Sequence, residues 1–219
     1  MKKVLIGTPA YDGRLDAWYV NSLINTIRES EKHNVSIHPI FLSYDSLVQR
    51  ARNDLFRIAV ENDYDSLFFL DSDIEWEPEW FFKFLERPEP IIGAALVKKS
   101  DNESYTVKLV DKNLKYSEDK ILIEADGVGT GFLKVDRFAL EKLWEKSDPY
   151  VHDGVNQRMV FNIMINDEGD LVSEDFIMCY KWRKLGYKIW LDPSVTCNHI
   201  GVKKYKGNIN EFLNKNNYV

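Results

Sequence analysis

The sequence predicts an α/β fold, a Rossmann-like, largely parallel sheet flanked by helices. Three observations carry this. Short apolar runs alternate with longer segments whose apolar residues recur at helical spacing, as Leu15, Tyr19, Leu23, Ile24 and Ile27 do. Two of the runs, Val4–Gly7 and Ser66–Leu70, read as buried strands, which strand–helix alternation places in a sheet covered by helices. Polar loops follow the strands: "TPAYDG" (8–13) after the first and Asp71–Asp73 after the third.

In chain order, Val4–Gly7 is the first strand, the segment around Leu15–Ile27 the first helix, and "VSIHPIFLS" (35–43) the second strand. From Ser46 to about Glu61, residues Leu47, Val48, Ala51, Leu55, Ile58 and Ala59 define one face of a second helix. "DSLFFLD" (65–71) is the third strand. "PEWFFKFLER" (78–87) is a short helix with Pro78 in its first turn, and "PIIGAALVKK" (90–99) is the fourth strand. The second half is more mixed. "ESYTVKLVDKNLKYSEDKILIEADG" (103–127) reads as strands joined by a polar turn, "GVGTGFLKVDR" (127–137) as a Gly-rich loop running into a strand, and "RFALEKLWEK" (137–146) as a helix. Residues 148–170 are polar and irregular. "SEDFIMCYKWRKLG" (173–186) is a helix with Ser173 as candidate cap and Gly186 as its stop, and "YKIWLDP" and "VTCNH" are short strands. No repeat, low-complexity tract or linker interrupts the 219 residues, so a single domain is expected.

Composition narrows the function classes. A 44% hydrophobic content is enough for a sizeable core, and a net charge of −6 gives no global electrostatic footprint for nucleic acid. A local basic patch remains open: Lys203, Lys204 and Lys206 surround Tyr205 in "GVKKYKG". Cys179 and Cys197 form neither a disulfide framework nor a zinc spacing and read as buried thiols of a reducing compartment. "MKKVLIGTPAYDG" is a first strand and not a signal peptide, and no segment approaches the ~20 apolar residues of a membrane span. A soluble, cytoplasmic protein is expected.

In an α/β sheet, ligands bind outside the carboxyl ends of the strands, so Thr8–Gly13, Asp71–Asp73 and Lys98–Ser100 should share one edge. Asp71 and Asp73 flank Ser72 at the end of the apolar strand. Strand alternation points such residues to one side, where two carboxylates repel unless something positive sits between them. A hard divalent cation, magnesium or manganese, suits that position, with Asp73 the direct ligand and Asp71 on the metal or a sugar hydroxyl; solvated turn acids are the alternative. Arg50, Asn53 and Arg57 share a face of the second helix, and Arg52-Asn53, near its positive end, reads either as a phosphate or ribose contact or as a solvated surface. Gly127, Gly129 and Gly131 allow either close approach to a ligand or a tight hairpin entry, in neither a Walker loop nor a persuasive dinucleotide fingerprint. Glu174 and Asp175 either complement the helix dipole or supply a general base. His199 is a structural residue or a metal ligand.

Taken in order, "GTPAYDG", "QRARN", "LFFLDSDIEWEPE", "VGTGF", "SEDF…KWRKLGYKIWLDP" and "NHIG" resemble the GT-A fold glycosyltransferases, closest to the compact, inverting, family-two-like type of bacteria and their viruses. The resemblance spans Val4 to about Gly207. It implies a GT-A (nucleotide-diphospho-sugar transferase) domain over 1–219, with a nucleotide-binding half (1–100), an acceptor and catalytic half (101–207) and a tail (208–219). It implies that Thr8, Pro9, Ala10 and Tyr11 line the nucleobase pocket, with Asp12 near the uracil or ribose and Arg52 near the nucleotide. Asp71, Ser72 and Asp73 match the sugar-nucleotide and metal motif, and His199 the late metal-binding histidine. Gly129, Thr130 and Gly131 match the loop beside the donor sugar. Asp175, after Glu174, matches the general base of inverting members. Lys204, within the basic cluster, would close over the diphosphate, contact a nucleic-acid backbone, or be a solvated surface lysine. The implied cofactors are Mn2+ or Mg2+ and a nucleotide sugar, UDP-linked by expectation, and the implied acceptor is a glycan or a hydroxymethylated DNA base. Residues 148–170 match no motif of the family, and the resemblance leaves the transferred sugar and the oligomeric state open. Two other classes compete: a sugar-nucleotide nucleotidyltransferase, which would prefer a more glycine-rich, basic first loop than "TPAYDGR", and a non-catalytic carbohydrate-binding module.

Overall fold

The computed structural model describes residues 1–100, 102–201 and 203–218; the side chain of Lys204 lies outside the described set. Along the chain run β1 (Lys2–Ala10), α1 (Ala17–Glu29), β2 (Val35–Ser43), α2 (Val48–Glu61), β3 (Ser66–Leu70), β4 (Ile74–Glu75), α3 (Pro78–Glu86), β5 (Ile91–Gly93), β6 (Val107–Leu109), β7 (Ile123–Val128), β8 (Phe132–Asp136) and α4 (Arg137–Lys146). Then follow β9 (Pro149–His152), β10 (Val155–Arg158), β11 (Met164–Ile165), β12 (Leu171–Val172), α5 (Glu174–Lys184), β13 (Ile189–Leu191), β14 (Asn198–Ile200), β15 (Lys204–Tyr205) and α6 (Ile209–Lys215).

The main sheet has eight strands in the order β2-β1-β3-β8-β5-β13-β7-β6. Strands β2, β1, β3, β5, β13 and β6 point one way, and β8 and β7 run against them. The expected α/β class, a mixed and mostly parallel sheet flanked by helices, is therefore what the chain adopts. Strand alternation builds a core on each face. Leu67 and Phe69 of β3 pack with Leu55, Phe56 and Ala59 of α2 and with Met178, Cys179 and Trp182 of α5. Phe68 and Leu70 pack on the other face with Tyr19 and Leu23 of α1 and with Phe81, Phe82, Phe84 and Leu85 of α3. All five β3 residues are buried, so the strand is anchored from both sides up to the residue before Asp71.

Helix starts follow side-chain chemistry. Asp16 caps α1 by accepting from Trp18 N (2.8 Å), and Asp136 caps α4 by accepting from Ala139 N (2.9 Å). Gly186, at φ +89°, ends α5 in the left-handed region that a glycine adopts freely. Among the described residues no helix is long and apolar enough to cross a membrane.

Four expectations need correction. β1 continues to Ala10, so Thr8, Pro9 and Ala10 are strand residues and not loop. Proline is tolerated there because pairing with β3 stops at Gly7, leaving Pro9 with β2 alone. The fourth strand is only Ile91–Gly93: Ala94–Val97 stay buried without continuing it, because β13, its parallel neighbour, ends at Leu191 opposite Gly93. Residues 148–170 are not irregular; they hold the hairpin β9–β10 and β11, which pairs with β12 just beyond them, and these short strands leave Val151, Ile165 and Leu171 exposed rather than in a buried apolar run. The three glycines of "GVGTGF" do not make a hairpin, since β7 and β8 pair with different partners.

Candidate functional site

The end of β3 is where separate parts of the chain meet. A cleft of about 250 Å3 opens there, lined by Pro9, Tyr11, Leu42, Asp45, Val48, Arg52, Asp71, Ser72, Asp73 and His199. The expected common edge is therefore realised: the ends of β1 and β3 share the cleft, and Lys99, beyond β5, reaches Asp73.

The two aspartates do not share a partner. β3 ends at Leu70, and Asp71 to Asp73 form a turn, so strand alternation no longer holds their carboxylates side by side. Asp71 is fixed to the residue preceding β8 by its own N–H donating to Gly131 O (3.0 Å). Its Oδ1 accepts from Arg52 Nη2 at 3.2 Å, and Arg52 Nη1 donates to Glu174 Oε1. Arg52, only 6% exposed, thus bridges the end of β3 to the first residue of α5. Asp73 faces two nitrogens. Lys99 Nζ bonds its Oδ2, and His199 Nε2 lies 3.4 Å from its Oδ1. Burial raises the Asp73 carboxyl, but hydrogen bonds from His199 and Lys99 outweigh it and hold the group below its usual range.

His199 is beside Asp73 because β14 pairs antiparallel with β4, the two residues after the Asp71–Asp73 turn: His199 lies opposite Ile74, and Ile200 N donates to Asp73 O (2.7 Å). Its ring is oriented from the other side, Nδ1 lying 2.9 Å from Val97 O. A carbonyl only accepts, so Nδ1 carries the proton and Nε2 faces Asp73.

The other expected residues are placed unevenly. Pro9 and Tyr11 line the cleft, but alternation turns Thr8 and Ala10 into the core; Thr8 is fully buried, its hydroxyl 2.6 Å from Tyr19 Oη. Burial in turn drives the Tyr19 phenol well above its ordinary value. Asp12 is exposed and accepts from Arg14 N (3.0 Å), outside the cleft. Ser72 lines the cleft. Gly131 approaches Asp71 so closely that a Cβ would lie 3.0 Å from Asp71 Oδ2, whereas one on Gly129 would meet Thr106 at 2.9 Å. Close packing, and not positive φ, is what these glycines permit. Thr130 is buried beside them, its hydroxyl without a hydrogen-bond partner among the described residues.

Asn53 belongs to the fold and not to a phosphate: its amide accepts from Phe161 N (2.8 Å) and donates to Phe161 O (2.9 Å). At the start of α5, Glu174 reaches the cleft through Arg52. Asp175 accepts locally at Oδ1, from Ser173 Oγ and from Phe176 N (2.8 Å), so Ser173 stands at the cap position with its hydroxyl turned to Asp175. Lys204 falls outside the described side chains. Two participants escaped sequence reasoning. Asp45, held below its usual range chiefly by the Arg50 guanidinium, lines the cleft, and its only local sign is an arginine five residues on. Lys99, which the sequence places at the edge without indicating a partner, is the other.

Whether Mn2+ or Mg2+ suits these residues depends on the donor set. Asp73 and His199 fit, being a carboxylate and an imidazole whose second nitrogen is already held by a carbonyl, as metal-binding histidines usually are. Asp71 does not join them, since Arg52 holds it; among the described residues no three His, Cys, Asp or Glu side chains gather as a metal cluster.

No protein-family model matches the sequence, and a search of curated proteins returns no match. Among solved structures, the chain is similar to A197 from STIV, at 19% identity and TM-score 0.55 over 92% of this chain and 86% of that one. A glycosyltransferase involved in the glycosylation of the major capsid of PBCV-1 aligns at 12% identity and TM-score 0.38 over 66% of each chain. A Bacillus anthracis protein described as a glucose-1-phosphate thymidylyltransferase, crystallised with a sucrose, aligns at 10% identity and TM-score 0.47 over 100% of this chain and 95% of that one. The last two superpose too loosely to bear on function. The likeness to A197 concerns the fold alone.

Proposed function

We propose that the chain is a GT-A-type glycosyltransferase that moves a sugar from a nucleotide donor, UDP-linked by expectation, to a hydroxyl of a glycan or of a hydroxymethylated DNA base. One observation carries the reading: Arg52, Asp71, Asp73, Glu174 and His199, from four separate segments, converge at the carboxyl end of a fully buried strand. The same residues carry the motif resemblance.

In this reading Pro9 and the exposed ring of Tyr11 take the nucleobase at the cleft mouth. Asp73 and His199 would hold Mn2+ or Mg2+. When bound, the ion would act as a Lewis acid, neutralising charge on the departing diphosphate. Asp71, fixed by Gly131 and Arg52, faces the sugar from a rigid strand end. Glu174, committed to the Arg52 guanidinium, orients that end of α5. Asp175, engaged locally on one oxygen, is the general base, taking the acceptor's proton as the bond to the sugar forms. Inversion follows if base and leaving group lie on opposite faces of the sugar.

Thermal shift tests the donor site. The wild type and Asp73→Ala are melted with UDP, other nucleotides and UDP-sugars, with and without Mn2+. Ligand at a hundred times its Kd stabilises by about 2.7 kcal/mol. A Mn2+-dependent shift with UDP that Asp73→Ala loses is the expected result; no shift with any nucleotide in a folded wild type overturns the reading.

A further inference from the structure

We infer that Lys99 is a resident cation for Asp73, one that a divalent ion must displace and that then turns to the donor diphosphate; this rests on the nucleotide-sugar reading above. Both oxygens of Asp73 already face nitrogen, Oδ2 bonded by Lys99 Nζ and Oδ1 3.4 Å from His199 Nε2. With Nδ1 held by Val97 O, the ring keeps Nε2 turned toward Asp73. Lys99 is the cation that the chain itself brings to Asp73.

The segment that carries Lys99 also orients His199. Val97, whose carbonyl fixes the imidazole, pairs with Tyr105 across a short antiparallel bridge, and Lys98 N donates to Ser104 O (2.7 Å). From the other side, Gly201, two residues beyond His199, leaves room for the lysine stem. A Cβ there would lie 3.3 Å from Lys99 Cδ and 3.7 Å from Cε. The ammonium is thus delivered along a backbone track next to the ligand it would compete for. Yet the pair is open to water, with the Lys99 side chain 34% and Asp73 38% exposed. Exposed pairs of this kind hold by a factor of about two to five, so a divalent ion with two ligands waiting can replace the ammonium. Once released, the four-carbon stem keeps Nζ within reach of anionic oxygens bound at Asp73.

The test reads two affinities with opposite expected signs. Mn2+ alone is titrated into the full chain and free ion followed by EPR; UDP is then titrated by calorimetry at saturating Mn2+. Lys99→Met should bind Mn2+ about two- to fivefold more tightly, because a competitor is gone, and UDP about tenfold more weakly, because a phosphate contact is gone. Lys99→Arg, which keeps the competing charge, should restore Mn2+ affinity toward wild type, and Lys98→Met, one residue away on the exposed turn, should change neither. Mn2+ binding by Lys99→Met that equals or falls below wild type overturns the exchange at Asp73. Mn2+–UDP binding that is unchanged overturns the diphosphate role. If no form binds UDP while Lys99→Met still gains Mn2+ affinity, the nucleotide reading and the diphosphate role fall and the exchange stands.

Discussion

Arg52→Met isolates the most buried charge of the cleft. The Arg52 side chain is 7% exposed, Glu174 12% and Asp71 33%, so the substitution strands one carboxylate almost wholly out of water and a second partly so. Removing one partner of a buried ion pair costs about 3–5 kcal/mol. Two features reduce that here. Asp71 keeps a third of its side chain in solvent, which screens its loss. Arg52 Nε is buried without a hydrogen-bond partner among the described residues, and the substitution removes that group. The expected net loss is about 2–3 kcal/mol. With a urea m-value of about 2 kcal/mol/M, the midpoint should fall by about 1–1.5 M at unchanged slope. The assay is urea unfolding followed by circular dichroism, run as a cycle with Glu174→Gln. Because Gln carries no charge to strand, the double variant should recover about 1–2 kcal/mol of the sum of the single losses. A single-variant loss below about 0.5 kcal/mol, or a coupling of zero, would refute the argument that this guanidinium ties α5 to β3.

Burial pushes the Lys134 ammonium down to about 8, with its Nζ donating to Arg87 O at 2.8 Å. The unfolded chain then binds more protons between pH 8 and about 10.5, so wild-type stability relative to Lys134→Met should rise by about 2–3 kcal/mol across that window, measured by urea unfolding at both ends. Below pH 8 the lysine is charged in both states, and the difference between the two proteins should be flat. Burial also pushes the Cys179 thiol up to about 12 and the Cys197 thiol up as well, so a thiol reagent at neutral pH should label neither until urea unfolds the chain. Gly131→Ala would place a Cβ 2.2 Å from Leu96 Cδ1 and 3.0 Å from Asp71 Oδ2, and it should cost about 1–3 kcal/mol by thermal melting; a melting temperature equal to wild type would show that the contact is not tight.

What the sequence made legible had a local cause. Ser66–Leu70 announces a strand buried on both faces because no other arrangement hides four adjacent large side chains so briefly, and Gly186 announces a stop because α5 needs a left-handed residue there. The cleft's position followed from the parallel sheet. What stayed hidden depends on distant partners. Thr8 and Pro9 have the same loop-like composition, yet β2 extends the strand beneath them and alternation then separates their fates. Asn53 looks like a polar surface residue until β10 and the following turn bring the Phe161 backbone to it. The pairing that sets His199 beside Asp73 joins strands of two and three residues more than a hundred positions apart, too short to leave any periodicity.

The neighbouring acids raise a problem that the fold solves differently from the expectation. Two carboxylates two residues apart were expected to share one cation. The turn after Leu70 separates them, so each acquires its own: Asp71 the buried guanidinium of Arg52, Asp73 the exposed ammonium of Lys99. The two pairs differ in kind. Arg52 is held at both ends in low dielectric, and releasing it would strand Glu174, so Asp71 is fixed. Lys99 sits in water beside an imidazole already oriented for a metal, and releasing it strands nothing, so Asp73 is free to change partners. On the proposed nucleotide-sugar reading, a site that holds a sugar in one place while admitting and releasing a charged nucleotide would use one acid of each sort. Substituting the two aspartates separately would thus have different consequences: Asp71→Asn should lower stability through Arg52, whereas Asp73→Asn should leave the fold intact and abolish the proposed Mn2+ binding.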